Sequence, residues 1–180
     1  MTKDLLDFYS RASEWTLDKV KGAAAELDTD TPCDKWDVRE LMNHMLETQQ
    51  YFVGSARGED ASPPGQTPPT TLLGEDPVSD FKRAREETMR TFGDEDVQKK
   101  TGPALGIAFA DQLLHGWDLA KATGQDSTMP AGLAEAAYET IHGQFTDEQR
   151  KGVFKPEIEV GADASAQDKL LAYTGRDPKG

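Results

Sequence analysis

The sequence predicts an all-α protein: a bundle of four substantial helices with an additional short helix near the C-terminus. Apolar residues recur at three- and four-residue intervals over several long stretches. Helix-starting and helix-stopping residues punctuate those stretches. Nothing alternates as a series of sheet-forming strands, and no internal repeat is present.

Taken in order, Leu5, Leu6, Phe8, Tyr9, Ala12, Trp15, Val20, Ala24 and Leu27 predict one long helix from about Asp4 to Leu27. The segment from Asp28 to Pro32 breaks it, because residues before proline avoid the α region. Asp37 caps a second helix, with Glu40 in the reciprocal capping-box position, and Gly58 stops it. Residues 58–76 are rich in Pro, Gly, Ser and Thr and read as a long loop, either a lid over a site or simply mobile. Asp76-Pro77 starts a third helix, carrying Val78, Phe81, Ala84, Arg85, Thr88 and Phe92 on one face until Gly93. Residues 94–103 read as a polar connection, followed by an apolar-rich helix over 104–123 that Gly124 stops. A further helix covers 133–145. The tail holds an extended piece over 154–160 and a final helix around Asp168–Tyr173.

The chain has 180 residues and a formal net charge of −13, which suits a single domain spanning 1–180 whose core needs no disulfide. The acidic balance repels phosphate backbones and anionic lipid, excluding nucleic acid and membranes as expected partners. Cys33 is the sole cysteine, so no intrachain disulfide forms. The polar N-terminal stretch lacks a signal peptide's apolar segment, and no run reaches membrane-spanning length. The expected compartment is the reduced cytoplasm.

Chemistry concentrates in few residues. His44 lies on the second helix, three residues from Leu41 and four from Thr48, on a face that also carries packing residues. Asp111 and His115 stand at i and i+4 on the most apolar helix, so both can point at one atom. A carboxylate buried there needs a cation or strong hydrogen bonds. Two imidazoles and a carboxylate suit Zn, Ni, Fe or Co better than Mg or Ca. Spacing alone leaves open that Asp111 only accepts a hydrogen bond from His115, and it does not bring His44 to the same place. His142, beside Gly143, reads as a surface or capping residue, and Cys33 as a small packed side chain in a turn. Nucleotide-binding glycine loops and serine-nucleophile motifs are absent.

Three segments carry a family resemblance. Thr31-Pro-Cys-Asp-Lys-Trp-Asp-Val-Arg-Glu-Leu-Met-Asn-His44 resembles the start of the second helix in the mycothiol-dependent maleylpyruvate isomerase-like metal-binding proteins of the DinB/YfiT-like superfamily. Asp111-Gln-Leu-Leu-His115-Gly-Trp-Asp-Leu-Ala-Lys-Ala-Thr-Gly124 is similar to that family's second signature. Gly152-Val-Phe-Lys-Pro156 with Asp168-Lys-Leu-Leu-Ala-Tyr-Thr-Gly-Arg-Asp-Pro178 resembles its closing segment. The resemblance implies a DinB-like four-helix bundle with a divalent transition metal, Zn or Ni foremost, held by His44, Asp111 and His115. It further implies mycothiol or a similar low-molecular-weight thiol as cofactor and a small electrophile as substrate. Trp36, Trp117 and Asp118 would then line the cofactor pocket or orient the ligands.

Two departures bear on activity. Members with isomerase activity carry glutamate where this chain has Asp111, and they have an additional C-terminal domain that is not present before Gly180. Both point away from maleylpyruvate isomerisation itself. The leading expectation is a metal- and thiol-dependent transferase or isomerase. Its rivals are a non-catalytic metal-binding or stress-associated protein, and a metal-free helical interaction module, for which a homodimer is the natural partner arrangement.

Overall fold

The computed structural model describes residues 2–34 and 36–179. Among them seven helices follow in chain order: α1 Thr2–Ala23, α2 Val38–Arg57, α3 Pro77–Phe92, α4 Glu95–Ala122, α5 Leu133–Ile141, α6 Asp147–Val153 and α7 Ala166–Tyr173. No strand occurs among the described residues beyond an isolated antiparallel bridge between Asp30 and Asp37. The fold is an all-α, DinB-like helical bundle, as the sequence predicts. None of its helices is long and apolar enough to cross a membrane.

Local chemistry explains most boundaries. The Asp37 side chain accepts from the Glu40 backbone N–H and the Glu40 carboxylate accepts from the Asp37 N–H, completing the capping box of α2. Gly58 closes that helix at φ 76°, where a side chain would be strained. Asp76 caps α3 with Pro77 in its first turn.

Three boundaries differ from the sequence reading. α1 ends at Ala23 rather than Leu27, because the Leu27 carbonyl accepts from Arg39 N–H and the Thr29 carbonyl from Val38 N–H. Those bonds bind the segment to the start of α2. The supposed connection over 94–103 is mostly helical: Asp94 caps it, and it joins the apolar helix through a kink at Thr101 (φ −127°, ψ 17°), two residues before Pro103. The helix predicted over 133–145 stops at Ile141, and a separate α6, absent from the sequence reading, begins beyond it at the Thr146–Gln149 capping box.

The four long helices pack as α1 against α3 and α4, and α2 against α3 and α4, with α5 against α4 and α7 against α5. Two apolar clusters result. One gathers Tyr9, Phe92, Phe109, Leu113, Leu133 and Leu170; the other gathers Val20, Leu41, Met42, Met45, Phe81 and Leu119. α4 passes from the first, through Trp117, to the second, entered at Leu119, and Asp118 stands at that passage. α1 and α4 approach closely at Gly116, where a Cβ would sit 2.5 Å from Thr16 Oγ1 and 2.7 Å from the Trp15 ring. Thr16 Oγ1 donates to the Gln112 carbonyl there at 2.7 Å. Gly116→Ala must therefore push the helices apart, and a loss of about 1–3 kcal/mol in denaturant unfolding is expected.

Tyr9 is fully buried, and its hydroxyl donates to Gln49 Oε1 at 2.9 Å. Burial pushes the phenol well above its ordinary value, so the folded state holds this proton more tightly than the unfolded chain does. The resulting stabilisation is complete below about pH 10, the unfolded phenol value, and is lost as pH rises beyond it. Tyr9→Phe should unfold about 1–2 kcal/mol more easily at neutral pH. The gap between parent and variant should close as melts are repeated above pH ~10.

Candidate metal centre

α2 and α4 supply the three predicted ligands. The capping box fixes the first turn of α2, and His44 lies two turns further on. Asp111 and His115 project one turn apart from α4, with His115 Nε2 3.4 Å from Asp111 Oδ1. The rings of His44 and His115 meet edge-on, centroids 5.2 Å apart. One donor atom from each of His44, Asp111 and His115 lies within 4.8 Å of the other two. Tertiary packing thus brings His44 to a pair, Asp111 and His115, that lies more than sixty residues further along the chain.

Their unmet hydrogen bonds test whether they fit a divalent cation. His44 Nδ1 and Asp111 Oδ2 are buried atoms without a hydrogen-bond partner. A buried polar atom left unpaired costs about 1–3 kcal/mol, and a cation among the three residues would satisfy both. Burial and the neighbouring His115 push His44 down to about 4, so its ring is neutral at physiological pH and keeps a free lone pair. Two imidazoles and one carboxylate match the preference of first-row transition metals. The residues fit such an ion.

Behind the triad stands a charged hydrogen-bonded group. Asp118 is fully buried, and its Oδ2 lies 2.9 Å from His115 Nδ1. Arg176 donates from Nε to Asp118 Oδ1 at 2.8 Å and from Nη2 to Oδ2 at 2.7 Å. Burial works to raise the Asp118 carboxyl, but the Arg176 charge and hydrogen bonds outweigh it and hold the group well below the carboxylate range. For His115, burial works to lower the imidazole, and the Asp111 charge with the bonds to Asp111, Asp118 and Cys33 raises it well above its usual value. Cys33 Sγ donates to Asp118 Oδ2 at 3.0 Å, and burial first, then Asp118, pushes its thiol up.

The other predicted site residues separate. Trp36 lies over the centre, its ring centroid 4.5 Å from that of His44, and its Nε1 donates to the Gln66 carbonyl of the long loop at 3.3 Å. Trp117 instead packs in the first core cluster, with Lys121 Nζ 5.8 Å over its ring. His142 is exposed and caps α5, stacked beside Tyr138 and Tyr173. Sequence reasoning missed Arg176 altogether and the placement of Cys33 at the centre. The signal for Arg176 was Asp118 itself, an acid on an apolar helix that burial obliges to find a cation. A cleft of about 120 Å³ between α2, α3 and the loop, lined by Leu46, Gln49 and Arg83 among others, contains none of the triad. That cleft has no His among its lining residues and shares none with the triad.

The arrangement is that of a helical bundle built around a candidate divalent-metal centre on two facing helices. Residues 10–120, more than half of the chain, match the family model of the mycothiol maleylpyruvate isomerase N-terminal domain, and the chain belongs to that family. Two uncharacterised proteins of Mycobacterium tuberculosis are similar to it, MT0763 of strain CDC 1551 / Oshkosh and Rv0738 of strain ATCC 25618 / H37Rv. Each is 26% identical over 162 residues, covering 85% of this chain and 86% of the relative. No solved structure matches the chain.

The loop over the centre is tethered as well as long. Buried Asn43 accepts from the Leu72 and Leu73 backbone N–H groups at 3.0 Å each through one oxygen, and it donates to the Arg39 carbonyl. Asn43→Ala removes both anchors. Amide exchange at Leu72 and Leu73 should accelerate at least about tenfold, as expected for a loss of 1.4 kcal/mol or more.

Proposed function

We propose that this protein is a cytoplasmic divalent-metal-dependent enzyme that uses mycothiol, or a similar low-molecular-weight thiol, in a transferase or isomerase reaction on a small electrophile. The observation that carries the reading is the pair of unpartnered buried atoms, His44 Nδ1 and Asp111 Oδ2, beside His115. Membership of the mycothiol maleylpyruvate isomerase N-terminal domain family supports a thiol as the partner. In this reading His44, Asp111 and His115 hold Zn or Ni, and the Asp111 carboxylate offsets one of its charges. An ion held by these three residues would supply Lewis acidity, which favours the thiolate form of a bound thiol at neutral pH. Trp36 walls the thiol pocket on the His44 side, and Asp118 orients His115 by accepting from its Nδ1–H. Maleylpyruvate is not the proposed substrate, because Asp111 is one methylene shorter than the glutamate of the isomerases.

Elemental analysis of protein purified without chelators tests the site. Near-stoichiometric Zn, Ni, Fe or Co is expected in the parent and less than about a tenth of that in His44→Ala and His115→Ala. A parent that stays metal-free after incubation with Zn or Ni would sink the proposal. Metal-loaded parent should also bind mycothiol saturably in calorimetry and conjugate it to a reactive electrophile. Metal uptake without thiol binding would favour a non-catalytic metal-binding protein instead.

A further inference from the structure

Arg176 follows α7, 58 residues from Asp118, yet only 13% of its side chain is exposed. Its two bonds to Asp118 form a planar fork that fixes both carboxylate oxygens. One of those oxygens meets His115 Nδ1, so the fork also sets where the imidazole proton points. With Nδ1 engaged by Asp118, Nε2 is the ring nitrogen that faces Asp111 and the triad.

The backbone around Arg176 is built to deliver it. Gly175 and Arg176 close α7 in a Schellman motif, Arg176 N–H bonding to the Leu171 carbonyl and Gly175 N–H to the Ala172 carbonyl. Gly175 adopts φ 76°, and a Cβ there would stand 2.8 Å from the Lys155 backbone carbon and oxygen. Only glycine permits this turn against that strand of chain. Lys155 in turn reaches Asp34 Oδ2 at 2.9 Å and the Pro32 carbonyl at 3.2 Å, holding the turn that presents the Cys33 thiol to the same Asp118 oxygen. The C-terminal segment therefore closes on the back of the centre from two directions.

We propose that Arg176 is a positioning residue of the metal centre: it holds Asp118 in the orientation that turns His115 Nε2 toward His44 and Asp111. The inference rests on the metal reading above and extends it to a residue outside the bundle's four long helices. Arg176 does not touch the metal or the substrate in this role; it acts through Asp118. Arg176→Met keeps the packing of the stem and removes the fork, while Arg176→Lys keeps a charge without the paired geometry. Gly175→Ala displaces the fork without altering any group of the relay.

Metal-free parent and variant proteins are titrated with Co²⁺, reading affinity by chelator competition and ligand geometry by the visible absorption bands, with melts of each metal-free protein alongside. Arg176→Met should weaken Co²⁺ binding about 10–100-fold and alter the bands. Arg176→Lys should fall between it and the parent, and Gly175→Ala should shift the same way. Because Arg176 acts through Asp118, the double variant Asp118→Asn/Arg176→Met should bind Co²⁺ no more weakly than Asp118→Asn alone. If Arg176→Met proves too unstable to purify, the Lys and Gly175→Ala variants carry the comparison. Parent-like affinity and bands in the folded variants, or additive losses in the double variant, would overturn the positioning role while leaving the metal site intact. A parent that binds no Co²⁺ would instead remove the metal reading on which the inference stands.

Discussion

A buried negative charge at Asp118 ties together three parts of this protein. Asp118 is fully buried on α4 and accepts from three side chains drawn from separate parts of the chain: Cys33 before α2, His115 one turn earlier, and Arg176 after α7. Removing a carboxylate from water is costly, and its attraction to a guanidinium only roughly repays that cost. Leaving such a charge unpaired costs about 3–5 kcal/mol, so alternative placements of the C-terminal segment are penalised strongly. Removing either partner of the pair would therefore be strongly destabilising, because the other would be left buried and unpaired.

The two apolar clusters explain why polar chemistry is tolerated inside a bundle. Where α4 crosses from one to the other, the buried residues turn polar: Gln112, His115 and Asp118 on α4, with Ser13 and Thr16 opposite on α1. Close approach at Gly116 lets Thr16 satisfy a backbone carbonyl there. Most of this seam is satisfied by hydrogen bonds, which is what keeps it compatible with a folded core. Gln112 Nε2 in this seam and Gln49 Nε2 and Glu47 Oε2 on α2 also lack partners; what sets His44 Nδ1 and Asp111 Oδ2 apart is that both belong to the triad whose donor atoms converge within 4.8 Å.

Two layers around the triad differ in kind. On one side the protein is charged, Asp118 bonding His115 Nδ1 and Arg176 together. On the other, Trp36 lies against His44 and its indole donates to a proline-rich loop that is anchored through Asn43. A carboxylate held by a guanidinium lies behind His115, and an indole lies against His44.

Much of this was legible in the sequence, and the part that was not has a definite cause. Helix type and most caps follow from local chemistry, so the Asp37–Glu40 box, the Asp76-Pro77 start and the i, i+4 pairing of Asp111 with His115 could be read directly. The Thr146–Gln149 box that begins α6 obeys the same rule, but a helix without buried residues shows no apolar periodicity to mark it in the sequence. The boundary at Ala23 is set by the bonds of Leu27 and Thr29 to the start of α2, outside the local window, whereas the Thr101 kink lies two residues before Pro103 inside a continuous helix. His44 could be named from its resemblance to a family motif, but its approach to Asp111 and His115 depends on how α2 packs against α4. The fork of Arg176 on Asp118 lay further out of reach. Residue types and spacing determine which groups can ionise or bind a metal; only the tertiary fold decides which of them share one buried place, because burial turns a solvated charge into one that must find a partner.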